Sequence, residues 1–233
     1  MSGLRKIGTF LTPKNSDLWE QRGAEVGGDS IAHYAPGSAM GVRAVFLVGF
    51  MASGKSRVGQ ELARRLDWDF VDLDARIESR EQQRIPEIFR DRGELGFRLA
   101  ETSALGDLLT ASLERNSVVA LGGGAFAQER NRELLRQWPT VFLEAPASEL
   151  WQRSLTDGVD RPLRSDFEQF VQLYAERLPF YRQASVVVAT TGKQLASICA
   201  EIEGALQLRG TPEDAGPGLT RIDRTSFGRG ESH

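Results

Sequence analysis

One octet constrains this chain more than any other feature. Gly49-Phe50-Met51-Ala52-Ser53-Gly54-Lys55-Ser56 fits the pattern G-x-x-x-x-G-K-[ST]. Chance would produce it about 0.005 times in a chain of this length and composition, so coincidence is a poor explanation. An apolar run from Val42 to Val48 precedes it. Val58, Leu62, Ala63 and Leu66 follow at helical spacing, which predicts a helix over about 54–66. A buried strand, a glycine-bearing turn and a helix N-terminus in that order form a cradle for a phosphate. The loop amides and the helix end face the anion. Lys55 is placed to reach β- and γ-phosphates, and Ser56 to ligate Mg²⁺.

The rest of the chain alternates in the same way. Phe70-Val71-Asp72, Val118–Leu121, Val141-Phe142-Leu143 and Val186-Val187-Val188 read as four further short strands. Between them lie helical spacings: Ile77 onward, Pro86 in a first turn, then Phe97, Ala100, Ala104, Leu105 and Leu108. Leu134 and Leu135 follow, then Leu150 and Trp151. Phe167, Phe170, Val171, Tyr174 and Leu178 come next, and Leu195, Ile198, Cys199, Ile202 and Leu206 close the series. Apolar strands alternating with helices predict an α/β fold, a parallel sheet covered on both faces.

Residues 1–41 and 209–233 lack a sustained apolar period and are rich in glycine. They are expected to be disordered extensions flanking a domain over 42–208. Leu18-Trp19 is read as part of that extension. Arg5 and Lys6 lead into no apolar core, so no secretory signal is expected. The longest apolar run, Ala44–Met51, is too short to span a bilayer. A net charge of −3 argues against a strongly basic nucleic-acid binder and leaves room only for a local basic patch. A single cysteine, Cys199, excludes an internal disulfide framework and fits a reducing cytoplasm. The histidines are His33 and His233, both in the extensions, so the domain has no histidine base or metal ligand. Lysine occurs four times, and only Lys55 and Lys193 fall in the domain.

Further polar groups narrow the chemistry. Asp72-Leu73-Asp74 lies at the carboxyl end of the second strand, where ligands of open α/β sheets gather. If the strand continues, its two carboxylates point to opposite sides. The competing reading is a strand end that caps the next helix. Arg98 stands near the start of a helix, three residues before Glu101. A plain surface pair is the alternative to a ligand role. Gly122-Gly123-Gly124 ends the third strand with backbone open to close approach, or makes a simple turn.

Taken together these residues resemble the shikimate kinase family. The likeness runs through the phosphate loop, Asp72-x-Asp74, Gly93-Glu94-x-x-Phe97-Arg98-x-x-Glu101, Gly122-Gly123-Gly124, Arg161-Pro162-Leu163 and Glu176-Arg177-x-Pro179-x-Tyr181-Arg182, in order, over about residues 42–190. The resemblance implies a five-stranded parallel sheet of the nucleoside-monophosphate-kinase kind, with a mobile lid at about 156–166. It implies transfer of the ATP γ-phosphate to the 3-hydroxyl of shikimate, with Mg²⁺ as cofactor, by a cytoplasmic monomer without nucleic-acid or membrane partners. Lys55, Asp74 and Arg161 would be catalytic. Ala52, Ser53, Gly54, Lys55, Ser56, Arg57 and Arg161 would hold the nucleotide. Asp74, Arg98, Gly122, Gly123, Gly124 and Arg177 would hold shikimate, and Ser56 and Asp72 the metal. Alternatives are a related kinase, such as one acting on gluconate, or a nucleotide-binding regulatory module. The chain departs from the family at Ala52, where glycine is usual, and at Arg57, where Thr or Ser is. Ala52 is expected to sit at a backbone position without a strongly positive φ.

Overall fold

The computed structural model describes residues 42–111, 115–156 and 166–208. The expected extensions, Arg161 and most of the expected lid lie outside the described residues.

Five parallel strands form one sheet in the order β2-β3-β1-β4-β5. They are β1 (Ala44–Val48), β2 (Asp69–Asp72), β3 (Ser117–Ala120), β4 (Thr140–Glu144) and β5 (Val186–Ala189). The helices are α1 (Lys55–Leu66), α2 (Leu73–Glu81), α3 (Ile85–Ala111), α4 (Glu129–Leu134), α5 (Ala147–Thr156), α6 (Phe167–Tyr181) and α7 (Leu195–Leu206). A short 3₁₀ turn, Ala125–Ala127, follows the triple glycine.

β1 explains why the sheet is covered on both sides. Every one of its residues is buried. Alternate side chains point to opposite faces. Phe46 and Val48 join a core with Ile77, Leu105, Leu150 and Phe170, from α2, α3, α5 and α6. Val45 and Leu47 join a second core with Val58 and Leu62 of α1 and Ile198 and Ile202 of α7. A continuous apolar run is what such a central strand requires.

The register aligns the functional ends. Leu47 of β1 lies opposite Ala120 of β3, and Asp72 of β2 lies opposite the same Ala120. The loop after β1, the turn after β3 and the start of α2 therefore emerge at one edge. α3 bends at Gly93, whose φ of 67° and ψ of −176° leave the helical region. Glycine adopts this conformation without a Cβ penalty. The bend starts a fresh helical segment four residues before Phe97, which is buried.

Candidate active site

Phe50 anchors the phosphate loop. It is fully buried and meets Phe170 and Tyr174 edge to face at centroid distances of 4.9 and 5.4 Å. Lys55 folds back over the loop and donates to the carbonyls of Gly49 and Phe50, each at 2.9 Å. Ser53, which the sequence places in the nucleotide site, is buried within the turn. Ala52 differs from expectation. Its φ is 60°, in the left-handed region. The loop geometry dictates that conformation, and the alanine methyl is tolerated there with strain.

The two readings of Asp72 prove to be compatible. The strand stops at Asp72 and α2 begins at Leu73, so the two carboxylates do not alternate across a strand. Asp72 caps α2: its Oδ1 accepts from the amides of Asp74 at 3.0 Å and Ala75 at 3.4 Å. Its Oδ2 accepts from the Ser56 hydroxyl at 3.0 Å. One carboxylate thus fixes a helix and faces the phosphate loop. Asp74 enters the site from the first turn of α2. A cavity of about 350 Å³ brings Lys55, Ser56, Asp72, Asp74 and Gly123 together.

Arg98 and Glu101 are not a surface pair. Glu101 is 1% exposed and Arg98 15%. Arg98 Nη1 donates to Glu101 Oε2 at 3.0 Å, and Glu94 approaches the same guanidinium. Burial raises the Glu101 carboxyl to about 6, against the opposing pull of Arg98. Asp74 also raises it and Arg177 lowers it, so all four charged groups share one field.

The triple glycine lets these groups close in. A methyl on Gly122 would lie 2.6 Å from Asp74 Oδ1, and one on Gly124 2.7 Å from Arg98 Nη2. Gly123 faces the phosphate-loop backbone, and its carbonyl accepts from Arg177 Nη1 at 3.4 Å and from the Tyr181 hydroxyl. The structure therefore gathers Lys55, Ser56, Asp72, Asp74, Arg98, Gly122, Gly123, Gly124 and Arg177 at one edge of the sheet. Glu101 and Tyr181 belong to the same assembly. Both fall within quoted motifs, but nothing local in the sequence signals their contacts.

A second cavity, about 550 Å³, adjoins the first along Ala52, Gly54 and Arg57. Its far wall includes Arg153, Thr190, Lys193 and Ile198. Sequence reasoning missed this wall. Its residues come from α5, the β5–α7 connection and α7, and no motif links them.

A phosphate loop after the central strand of a five-stranded parallel sheet, beside Asp74, Arg98, Glu101 and Arg177, is the arrangement of a P-loop kinase acting on a small anionic molecule. A shikimate kinase family model matches residues 51–207. The chain is 43% identical over 172 residues to a shikimate kinase of Geobacter metallireducens, covering 72% of this chain and 94% of that protein. It is 45% identical over 168 residues to one of Halorhodospira halophila, covering 70% and 93%. A solved shikimate kinase of Acinetobacter baumannii in complex with shikimate is 35% identical, with a TM-score of 0.64, over 71% of this chain and 94% of that one. The chain belongs to the shikimate kinase family.

Proposed function

We propose a division of labour among these residues for the family's reaction. The enzyme uses ATP to phosphorylate the 3-hydroxyl of shikimate, giving shikimate 3-phosphate and ADP on the route to chorismate and the aromatic amino acids. The observation that carries the assignment is the convergence of Lys55 and Ser56 with Asp74, Arg98 and Arg177 around Gly122-Gly123-Gly124.

Lys55 exchanges its loop carbonyls for the phosphate oxygens and stabilises the charge on the transferring group. Arg98 and Arg177 present forked donors to the shikimate carboxylate. Glu101 holds the Arg98 fork in place from behind. Asp74 binds the ring hydroxyls and is positioned to accept the proton of the attacking one. Phosphoryl transfer depends chiefly on alignment and charge stabilisation, so no histidine is needed. Arg161, assigned by its motif, is the lid cation over the phosphates.

The Ser56 hydroxyl and the Asp72 carboxylate form an oxygen pair that fits Mg²⁺. When bound, the ion supplies neutralising charge to the β- and γ-phosphates. Among the described residues no group of three or more His, Cys, Asp or Glu could hold a metal, so the chain's own contribution to the ion would be this oxygen pair. No helix among the described residues is long and apolar enough to cross a membrane. A cytoplasmic monomer without nucleic-acid or membrane partners completes the reading. The one cysteine, Cys199, is buried, and burial pushes its thiol up to about 11, so it is a packing residue rather than a nucleophile.

Coupled measurement of ADP formation tests the reading. Shikimate should support turnover and gluconate should not. Lys55→Ala should abolish most turnover in a folded protein, and Arg98→Lys should weaken shikimate use with little effect on ATP. Turnover on gluconate alone, or near-normal kcat in Lys55→Ala, would overturn it.

A further inference from the structure

A third cavity, of about 220 Å³, has Arg132, Arg136, Thr140, Gln183 and Ser185 as its polar wall. None of these residues lines either cavity beside the phosphate loop. Thr140 opens β4 and Ser185 directly precedes β5, so the cavity sits at the amino ends of these strands. The phosphate loop and the triple glycine follow the carboxyl ends of β1 and β3 instead.

This wall is rich in donors and holds no carboxylate. Arg64, Arg65, Arg92 and Arg153 each rest on an acid. Arg132 and Arg136 have no acidic partner among the described residues. Arg132 lies over the Phe180 ring at 4.6 Å, and its Nη1 donates to the carbonyls of Phe126 at 3.0 Å and Ala127 at 2.8 Å. Its Nε–Nη2 edge is uncommitted among the same residues. Arg64 and Arg65 use that edge to fork onto Glu61 and Glu203. The Arg136 guanidinium makes no ion pair or hydrogen bond among the described residues, and the residue is exposed. Thr140 Oγ1 accepts from the Ser185 amide at 2.9 Å, Ser185 Oγ accepts from the Thr140 amide at 3.3 Å, and the two oxygens lie 3.2 Å apart. One hydroxyl proton lies between them, which leaves the other as a spare donor. Gln183 Nε2 spends one N–H on the Pro179 carbonyl and keeps a second.

We propose that this cavity is a second anion site, separate from the active site, that takes a phosphate group. Two guanidiniums supply charge-assisted, forked donors to a tetrahedral dianion, and the spare hydroxyl and amide protons are available to its remaining oxygens. Arg132 is already fixed by the ring and the two carbonyls, so little side-chain freedom is lost on binding. The chemistry suits free phosphate and the phosphate of a small monoester alike. Arg132 also holds the 3₁₀ turn that follows Gly124, so occupancy of the cavity is linked to the stability of the native fold there.

Calorimetric titration and thermal unfolding of the full chain test this. The active site is first filled with shikimate, Mg²⁺ and the β,γ-imido analogue of ATP, so that phosphate cannot enter it. Inorganic phosphate should then bind one site with a Kd on the order of 1 mM. At about ten times that concentration the Tm should rise by about 3–5 °C. Arg136→Gln should weaken phosphate about tenfold and remove most of the Tm rise, and Arg136→Glu should abolish both. Without phosphate, kcat in Arg136→Gln should match the native value. Glycerol 3-phosphate, titrated in parallel, decides the source: tighter binding than inorganic phosphate assigns the site to a monoester, and weaker binding to the free ion. No saturable binding of either probe to the native chain overturns the site. So does undiminished binding in Arg136→Gln, or an equal Tm rise with sodium chloride at matched ionic strength, which would mark simple screening. A lost kcat in Arg136→Gln overturns the separation of the two sites.

Discussion

The Tyr181 hydroxyl donates to the carbonyl of Gly123, tying the end of α6 to the turn after β3. Tyr181 is fully buried and stacks on Phe142 of β4 at 5.3 Å. Burial pushes its phenol up to about 12, so it remains a donor at any working pH. Arg177, one turn earlier on α6, donates to the same carbonyl. The Gly123 peptide is held from behind while the glycines on either side face Asp74 and Arg98.

Tyr181→Phe therefore separates packing from positioning. The ring stays, and the carbonyl loses one of its two hydrogen bonds. Stability should fall by about 1–2 kcal/mol, read by urea unfolding. The KM for shikimate should rise several-fold while that for ATP moves little. Equal changes in both KM values would show that the hydroxyl supports the fold rather than the substrate turn.

Glu101 predicts opposite pH trends for stability and binding. Its native pKa of about 6 lies above the ordinary 4.5. Between these values the native state holds more protons than the unfolded state. Its contribution is therefore most favourable below about pH 4.5 and declines by roughly 2 kcal/mol as pH rises through 6. Binding goes the other way, because only the ionised carboxylate gives Arg98 a charged anchor. The shikimate KM should rise as pH falls from 7 to 5. Glu101→Gln should flatten both profiles and start with a raised KM at pH 7. Denaturation and kinetics across pH 4.5–7.5 check the pair, and an unaltered pH profile in the variant would remove Glu101 from this role.

Ala52 occupies a conformation that costs an L-residue about 1–2 kcal/mol. Ala52→Gly removes that strain but loosens the unfolded chain by about 0.4–1 kcal/mol. The net expectation is a gain of about 0.5–1 kcal/mol, or about 1–4 °C in Tm. A lowered Tm would mean that the methyl makes a compensating contact.

The flanking glycines should rank by the stiffness of what they touch. Gly122→Ala drives a methyl against the short Asp74 side chain, with Glu101 close behind at 3.3 Å. It should cut kcat/KM for shikimate by about tenfold or more. Gly124→Ala meets the end of the long Arg98 side chain, which gives way more readily, so a rise of about threefold in the shikimate KM is expected. Steady-state kinetics on both decide it. The reverse ranking would refute the steric argument.

Much of this was legible along the chain. Val58, Leu62 and Leu66 repeat at a helical period, and the short apolar run before Gly49 suggests a buried strand. Such signals act over a few residues, so a linear reading captures them. The phosphate loop is likewise a local device, with its glycines, lysine and hydroxyl contiguous. Resemblance to a family added Arg98 and Arg177, which spacing alone left as a surface pair and one arginine among many.

What the linear reading could not supply depends on residues far apart in sequence. Whether Asp72 extends a strand or caps a helix is settled by where β2 stops against β3. The φ of Ala52 is set by the closed loop around it, not by the preference of alanine. Tyr181 meets Gly123 across 58 positions, and Arg136 shares a cavity with Ser185 only once the chain has folded. The sequence by itself determined the elements and the phosphate cradle, because periodicity and turn chemistry are short-range. Only the tertiary structure decided which polar groups meet. The strand order β2-β3-β1-β4-β5 sets which loops share an edge, and burial there makes Glu101 and Tyr181 part of the site.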